Sequence, residues 1–218
     1  MKKETKKIIL CIILIIVSIL FTILVLKFDV RTVGPNESSV GFSTINSKVS
    51  QYIGSNMTWY KITSILGILP VLIVIIYGIL GIVELVKRKS IVKVDFEIIL
   101  LGIFYVIIGI LYIFFEKFIV NYRPILINGV LEASYPSSHT MMAIFICFSA
   151  NIVNKSLIKD DKLRNVLNIL SVIIAFLIVI GRIISGVHWC SDIVGGVIIS
   201  STLLVIFNKL LKLKKSKN

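Results

Sequence analysis

The feature that most constrains this chain is a series of predominantly apolar runs, each about as long as a bilayer is thick. Ile8 to Leu26 is a 19-residue stretch without a charge. An α-helix rises about 1.5 Å per residue, so about 20 such residues cover the roughly 30 Å hydrocarbon core. Further runs lie at about 62–86, 96–115, 139–154, 166–181 and 192–207. With 57% hydrophobic residues, the chain lacks the polar faces of a soluble domain. The expected fold is all-α: a polytopic membrane protein of six transmembrane helices, forming a single membrane domain over residues 1–218. Pro70 falls inside the second run, where neighbouring membrane helices can re-satisfy the carbonyl it frees. The first run is read as a retained helix and not a cleaved signal. It exceeds a usual signal core, and Lys27, Phe28 and Asp29 follow it with no pair of small residues for cleavage.

The charges support the same reading. The net charge of +13 comes mostly from short clusters between the runs, which excludes a nucleic-acid-binding face and fits membrane topology. With the N-terminus cytoplasmic, the inner segments hold Lys2, Lys3, Lys6 and Lys7; Lys87, Arg88, Lys89 and Lys93; Lys155, Lys159, Lys162 and Arg164; and Lys209, Lys212, Lys214, Lys215 and Lys217. Both termini are then inside. Outside remain only Lys27, Arg31, Lys48, Lys61, Lys117, Arg123 and Arg182 of the 24 basic residues. Cys11, Cys147 and Cys190 are too few and too apolar in context for a disulfide framework or thiolate metal site. Residues 27–61 form the long polar segment, with a turn at Gly34, Pro35 and Asn36 and an amphipathic piece around Ile45 to Ile53 suited to an interface.

Three short segments at the outer face carry the chemistry. The first is Lys117-Phe-Ile-Val-Asn-Tyr-Arg123-Pro124, and the second is Tyr135-Pro136-Ser137-Ser138-His139-Thr140. The third is Gly181-Arg182-Ile-Ile-Ser185-Gly186-Val-His188-Trp-Cys-Ser191-Asp192. Together they offer guanidiniums, an ammonium, two imidazoles, a carboxylate, and backbone amides at a helix start, which is the donor set of a phosphate site. If the sixth helix has begun by His188, Asp192 lies four residues on along the same face and can bond one ring nitrogen. The other nitrogen is then free to attack phosphorus, and His139 can supply the proton the leaving oxygen needs.

These segments resemble the three signature motifs of the type 2 phosphatidic acid phosphatase and haloperoxidase superfamily: Lys…Arg-Pro, Pro-Ser-Gly-His, and Ser-Arg-x5-His-x3-Asp. Arg182-x5-His188-x3-Asp192 matches in spacing throughout. The resemblance implies that His188 forms a phosphohistidine, that Asp192 orients it, and that His139 protonates the leaving group and later activates water. It also implies that Arg123, Arg182 and Lys117 hold the phosphoryl oxygens with Ser137 and the Ser138 backbone, and that neither a metal nor a cofactor takes part. The sequence departs from the motifs at three places. Lys117 and Arg123 enclose five residues where the family has six, so Glu116 occupies the lysine position. Ser138 stands for glycine, and Gly181 for serine.

The anticipated substrate is a lipid phosphate or diphosphate in the bilayer, such as a polyprenyl diphosphate, phosphatidylglycerol phosphate or phosphatidic acid. The same cluster can also serve an anion- or lipid-binding carrier, or a transferase that passes the phosphoryl or headgroup to an alcohol.

Overall fold

The computed structural model describes residues 2–215, with side chains from Thr5 to Lys214. Lys217 of the last basic cluster lies outside the described residues, as do the side chains of Lys2, Lys3 and Lys215. The helices are α1 (Lys2–Lys27), α2 (Ser43–Ile53), α3 (Met57–Leu66), α4 (Ile68–Arg88), α5 (Phe96–Lys117), α6 (Ser138–Leu157), α7 (Asp161–Ser185) and α8 (Cys190–Lys215). A two-stranded antiparallel ribbon, β1 (Arg31–Thr32) and β2 (Ser39–Val40), follows α1. Among the described residues, six segments are long and apolar enough to cross a membrane, with α3 and α4 together forming the second.

Each span reaches beyond the apolar run that announced it, because polar turns continue the helices. Asp160 accepts from the Lys162 and Leu163 amides (2.8 and 3.2 Å), so α7 starts well before residue 166. The second span begins at Met57, capped by Asn56, whose side chain accepts from the Trp59 amide (3.1 Å). That span is broken at Gly67, which places Pro70 in the first turn of α4. A first-turn proline removes no intrahelical bond, so the re-satisfied carbonyl expected there is not needed.

α6 is the central helix. Phe104 of α5, Phe145 of α6 and Phe207 of α8 meet with centroids 5.4–6.1 Å apart, with Leu101, Ile108, Met141 and Val153 around them. Against α7, α6 presents Ala143 and Cys147 to Ala175 and Ile178. Small residues of this kind let membrane helices approach closely where lipid offers no hydrophobic contrast. The outward Ile and Leu side chains of α1, α4 and α7 remain exposed, as a lipid-facing surface requires.

The amphipathic piece noted at 45–53 is α2, and it lies across one end of the bundle. Its inner face buries Ser43 and Asn46, while Tyr52 is 93% exposed. Asn56 then donates its amide to the Ser185 carbonyl (3.0 Å), joining the start of α3 to the end of α7.

Candidate active site

The three motifs meet at the α2 end of the bundle. Two local features of the sequence bring them there. Asn128 and Gly129 both have positive φ (50° and 77°), and Ile127 and Val130 exchange both backbone bonds (3.0 and 2.9 Å). This is the two-residue hairpin turn for which Asn-Gly is the preferred pair. It folds the α5–α6 connection on itself, so that Arg123 N donates to Glu132 O (3.0 Å) and Ser134 N to Asn121 O (2.9 Å). The second feature is Gly186, which ends α7 in the left-handed region (φ 62°); a Cβ there would lie 1.8 Å from the Gly54 carbonyl oxygen. The turn it makes carries His188 across the end of α8.

His188 is therefore in a turn, because α8 begins at Cys190 and not by 188. The condition for a helical i,i+4 pair with Asp192 is not met. Instead His188 Nδ1 lies 3.0 Å from Ser134 Oγ and 3.1 Å from the Ser134 carbonyl oxygen. Ser134 Oγ in turn donates to Asp192 Oδ2 (2.6 Å), and Asp192 also accepts from the Trp189 amide (2.9 Å) and from Asn121 Nδ2 (3.2 Å). Asp192 reaches the ring through Ser134. The network continues outward through Ser191 to Asn46 of α2, which donates to Ser191 Oγ (2.8 Å) and accepts its amide (3.1 Å).

The other ring nitrogen, Nε2, faces Arg123 Nη1 at 3.4 Å. Burial holds the His188 imidazole well below its ordinary pKa, and the nearby charges of Arg123 and Arg182, followed by His139, push it the same way. The nucleophile candidate is thus a neutral imidazole surrounded by cationic groups. Arg123 pairs with Glu132 (2.9 Å). Arg182 is fully buried; its Nη2 donates to Ser64 Oγ (3.1 Å) and its guanidinium lies 5.1 Å above the Tyr60 ring, while Nε and Nη1 have no partner.

Ser137 precedes α6, fully buried, with an Oγ that bonds nothing. Its amide donates to the Asp192 carbonyl (3.0 Å), which leaves the first amides of α6, from Ser138 onward, at the helix terminus where an anion is favoured. The His139 ring packs against Gly67 at the α3–α4 break; a Cβ at Gly67 would come within 2.8 Å of its Cδ2. Gly195 and Gly196 of α8 make room for the second motif, since a Cβ at Gly195 would meet the Tyr135 ring at 2.4 Å and one at Gly196 the Ser137 carbonyl at 3.0 Å.

Lys117 is not brought into the site. It is exposed at the end of α5, and the cavity beside His188, Arg123 and Ser138 is lined by Glu116, Tyr112 and Phe115. Consecutive helical residues point about 100° apart, so the register that sets Glu116 at the rim of the cavity turns Lys117 away from it. The substitution of Gly181 for serine has a steric reason. A Cβ there would lie 2.3 Å from Thr63 Cγ2 and 3.1 Å from the Trp59 ring, so α3 occupies the space a hydroxyl would use.

Residues 8–215 match the model of the PAP2 superfamily. The chain belongs to that superfamily. Among solved structures it is similar to the crystal structure of the first transmembrane PAP2 type phosphatidylglycerolphosphate phosphatase from Bacillus subtilis. The identity is 18%, the TM-score 0.62, and the match covers 93% of this chain and 96% of that one. No curated protein matches. Membership fits a multi-pass PAP2 membrane protein whose motifs converge at one end of the bundle.

Sequence reading missed Ser134, Asn121 and Ser64. The signal for the first two was Asn128-Gly129, a hairpin turn that predicts residues 121–123 will pair with 132–134. Ser64 carries no comparable signal, being one hydroxyl in an apolar span. Tyr135 and Trp189 of the motifs are buried: Tyr135 bonds Thr22 (2.8 Å) and Trp189 Nε1 donates to the Tyr122 carbonyl (2.6 Å).

Proposed function

We propose that this protein is a phosphatase of lipid phosphates or lipid diphosphates, working through a phosphohistidine at His188 on the outer membrane face. The observation that carries the reading is Arg182. A buried, unpaired guanidinium costs several kcal/mol. One hydrogen bond and one cation–π contact return about 1–3 kcal/mol together. The deficit is met by an anion, for which Nε and Nη1 both offer free N–H donors.

In the reaction so assembled, the Nε2 lone pair of His188 forms a bond to phosphorus as the bond to the leaving oxygen breaks. That oxygen takes its proton from His139. Water then attacks phosphorus, giving its proton to His139, and the nitrogen–phosphorus bond returns its electrons to Nε2. Arg123 and Arg182, with the amides at the start of α6 and the Ser137 hydroxyl, stabilise charge on the equatorial oxygens. Arg123 turns Nη1 toward His188 Nε2 while its Nε pairs with Glu132, so the pair holds the guanidinium in place beside the nucleophile.

The lipid character is supported by where the site opens. The cavity beside His188 is bordered by Tyr112, Phe115 and Met141 of the spans, and on the other side of the imidazole Val49, Ile53, Ile183 and Ile193 line an apolar cavity of about 120 Å³. The lysine and arginine distribution supports an outer location, since the site end holds few basic residues apart from the catalytic ones.

The test is phosphate release from undecaprenyl diphosphate, phosphatidylglycerol phosphate and phosphatidic acid in detergent, with chelator present, by the native protein and His188→Ala. Release that survives chelation and is abolished by the substitution is expected. Undiminished release by His188→Ala would overturn the phosphohistidine, and equal turnover of soluble esters would remove the lipid restriction.

A further inference from the structure

Ser134 sits between the carboxylate and the imidazole, and the hydrogen count there leaves one arrangement. Both oxygens of Asp192 face donors whose protons are not in doubt: the Trp189 amide at Oδ2 (2.9 Å) and Asn121 Nδ2 at Oδ1 (3.2 Å). A carboxylate is an acceptor only, so the single hydroxyl proton of Ser134 goes to Oδ2 across 2.6 Å. Toward the imidazole Ser134 then offers two acceptors, its Oγ lone pair at 3.0 Å and its carbonyl oxygen at 3.1 Å. Two acceptors require a donor, so His188 Nδ1 carries the proton. The lone pair is left on Nε2, the nitrogen that faces Arg123.

We infer that Ser134 is a positioning residue that couples Asp192 to His188, fixing the imidazole as its Nδ1–H tautomer with Nε2 aimed into the phosphate site. The inference rests on His188 as the nucleophile. Ser134 touches no reacting atom. When Nε2 bonds phosphorus, positive charge spreads to Nδ1–H, and its two acceptors, one polarised by the carboxylate, stabilise that charge; the proton stays on Nδ1 throughout. The residue is 3% exposed, and its own amide is held by the Asn121 carbonyl (2.9 Å), so the hairpin fixes it in place.

The chain has only two histidines, so ring-¹⁵N-labelled protein shows two imidazoles, assigned by His139→Gln. The native His188 should appear as the Nδ1–H tautomer, and Ser134→Ala, which keeps only the carbonyl acceptor, should weaken the Nδ1–H hydrogen bond and move its ¹⁵N and ¹H shifts. In activity, Ser134→Ala should lower kcat about 10- to 100-fold, the range seen for partners that orient a working histidine, with KM changed less than about twofold. The double variant Ser134→Ala/Asp192→Asn should lose no more than Asp192→Asn alone, because the two act in series. Full multiplicative loss would mean that Asp192 acts on the ring by another route. A lower melting temperature with unchanged kcat would mean that Ser134 is structural only, and a native Nε2–H tautomer would overturn the inference directly. Trapping of phosphoenzyme separates the two readings: phosphohistidine that forms in the native protein, with Ser134→Ala unimpaired, sinks this inference alone, whereas an active His188→Ala sinks the nucleophile on which it rests.

Discussion

The carbonyl oxygen of Asp192 accepts the backbone amide of Ser137 at 3.0 Å, so the first turn of α8 and the start of α6 are latched at a single point. The free amides at the start of α6 are thereby held in fixed register with Asp192 and its neighbours on the next helix. The approach depends on Gly195 and Gly196, which leave α8 without side chains where Tyr135 and Ser137 cross it.

Gly195→Ala tests the latch. The added methyl would meet the Tyr135 ring, which is 2% exposed and tied to Thr22 at 2.8 Å. Overpacking of this kind costs about 1–3 kcal/mol. Thermal unfolding in detergent should show a lowered midpoint, and the residual folded protein should show reduced turnover, because Tyr135 leads directly into the phosphate-binding segment.

Arg182→Lys keeps the charge and removes the fork. The lysine ammonium has no planar pair of donors to offer phosphate, so kcat/KM should fall about 10²- to 10³-fold, the cost of losing a preorganised oxyanion donor. The loss of the Ser64 bond and the change at the Tyr60 ring should lower the melting temperature only slightly, since Nε and Nη1 bond nothing in the protein. A variant with native kcat/KM would show that Arg182 does not bind the phosphoryl group.

The pH dependence follows from the lowered pKa of His188. Its folded pKa lies below that of a free imidazole, about 6.5, so the nucleophile stays neutral until the pH falls below that value. The acid limb of kcat/KM assigned to His188 should therefore lie below about 6.5. Arg123 lowers this pKa by its charge; Arg123→Gln removes that charge, so the limb should move to higher pH. The profile of the variant, read independently of its lower maximum, checks the sign.

How much of this was legible beforehand can be judged from particular residues. The six spans are visible because a bilayer demands long apolar runs, and His139, Arg182, His188 and Asp192 stand out because ionisable groups near membrane depth are rare. The spacing of His188 and Asp192 makes a helical pair only if the helix has begun by His188, and nothing in the local pattern marks Cys190 as the start of α8. Lys117 was preferred over Glu116 because charge suggested a phosphate ligand, whereas helix register decides which side chain enters the cavity. Asn46 belongs to a segment that periodicity identifies as amphipathic but cannot dock.

Gly181 gives a test of steric fit between α3 and α7. Gly181→Ala should impair the protein because its Cβ would fall 2.3 Å from Thr63 Cγ2. Thr63→Ser removes that methyl and keeps the hydroxyl that donates to the Trp59 carbonyl (2.8 Å), so the double variant Gly181→Ala/Thr63→Ser should recover stability and activity toward native. Impairment unchanged by the second substitution would place the constraint at the Trp59 ring, 3.1 Å from the same Cβ.

Glu116 lines the cavity that holds Arg123, Ser138 and His188, at the place where the family motif has lysine. A carboxylate there repels a dianionic phosphate as it approaches, and because Glu116 is exposed the repulsion is screened by salt. Glu116→Gln removes the charge with little change in shape, and Glu116→Lys reverses it. KM for the lipid phosphate should fall in the order native, Gln, Lys, by about tenfold overall if the net change is near 1.4 kcal/mol, while kcat changes less because Glu116 is not placed on the reacting atoms. Raising the salt concentration should compress the series. A rise in KM on neutralising Glu116 would instead mean that its carboxylate binds a cationic part of the substrate, and screening lipid phosphates with and without an ammonium group would then identify which.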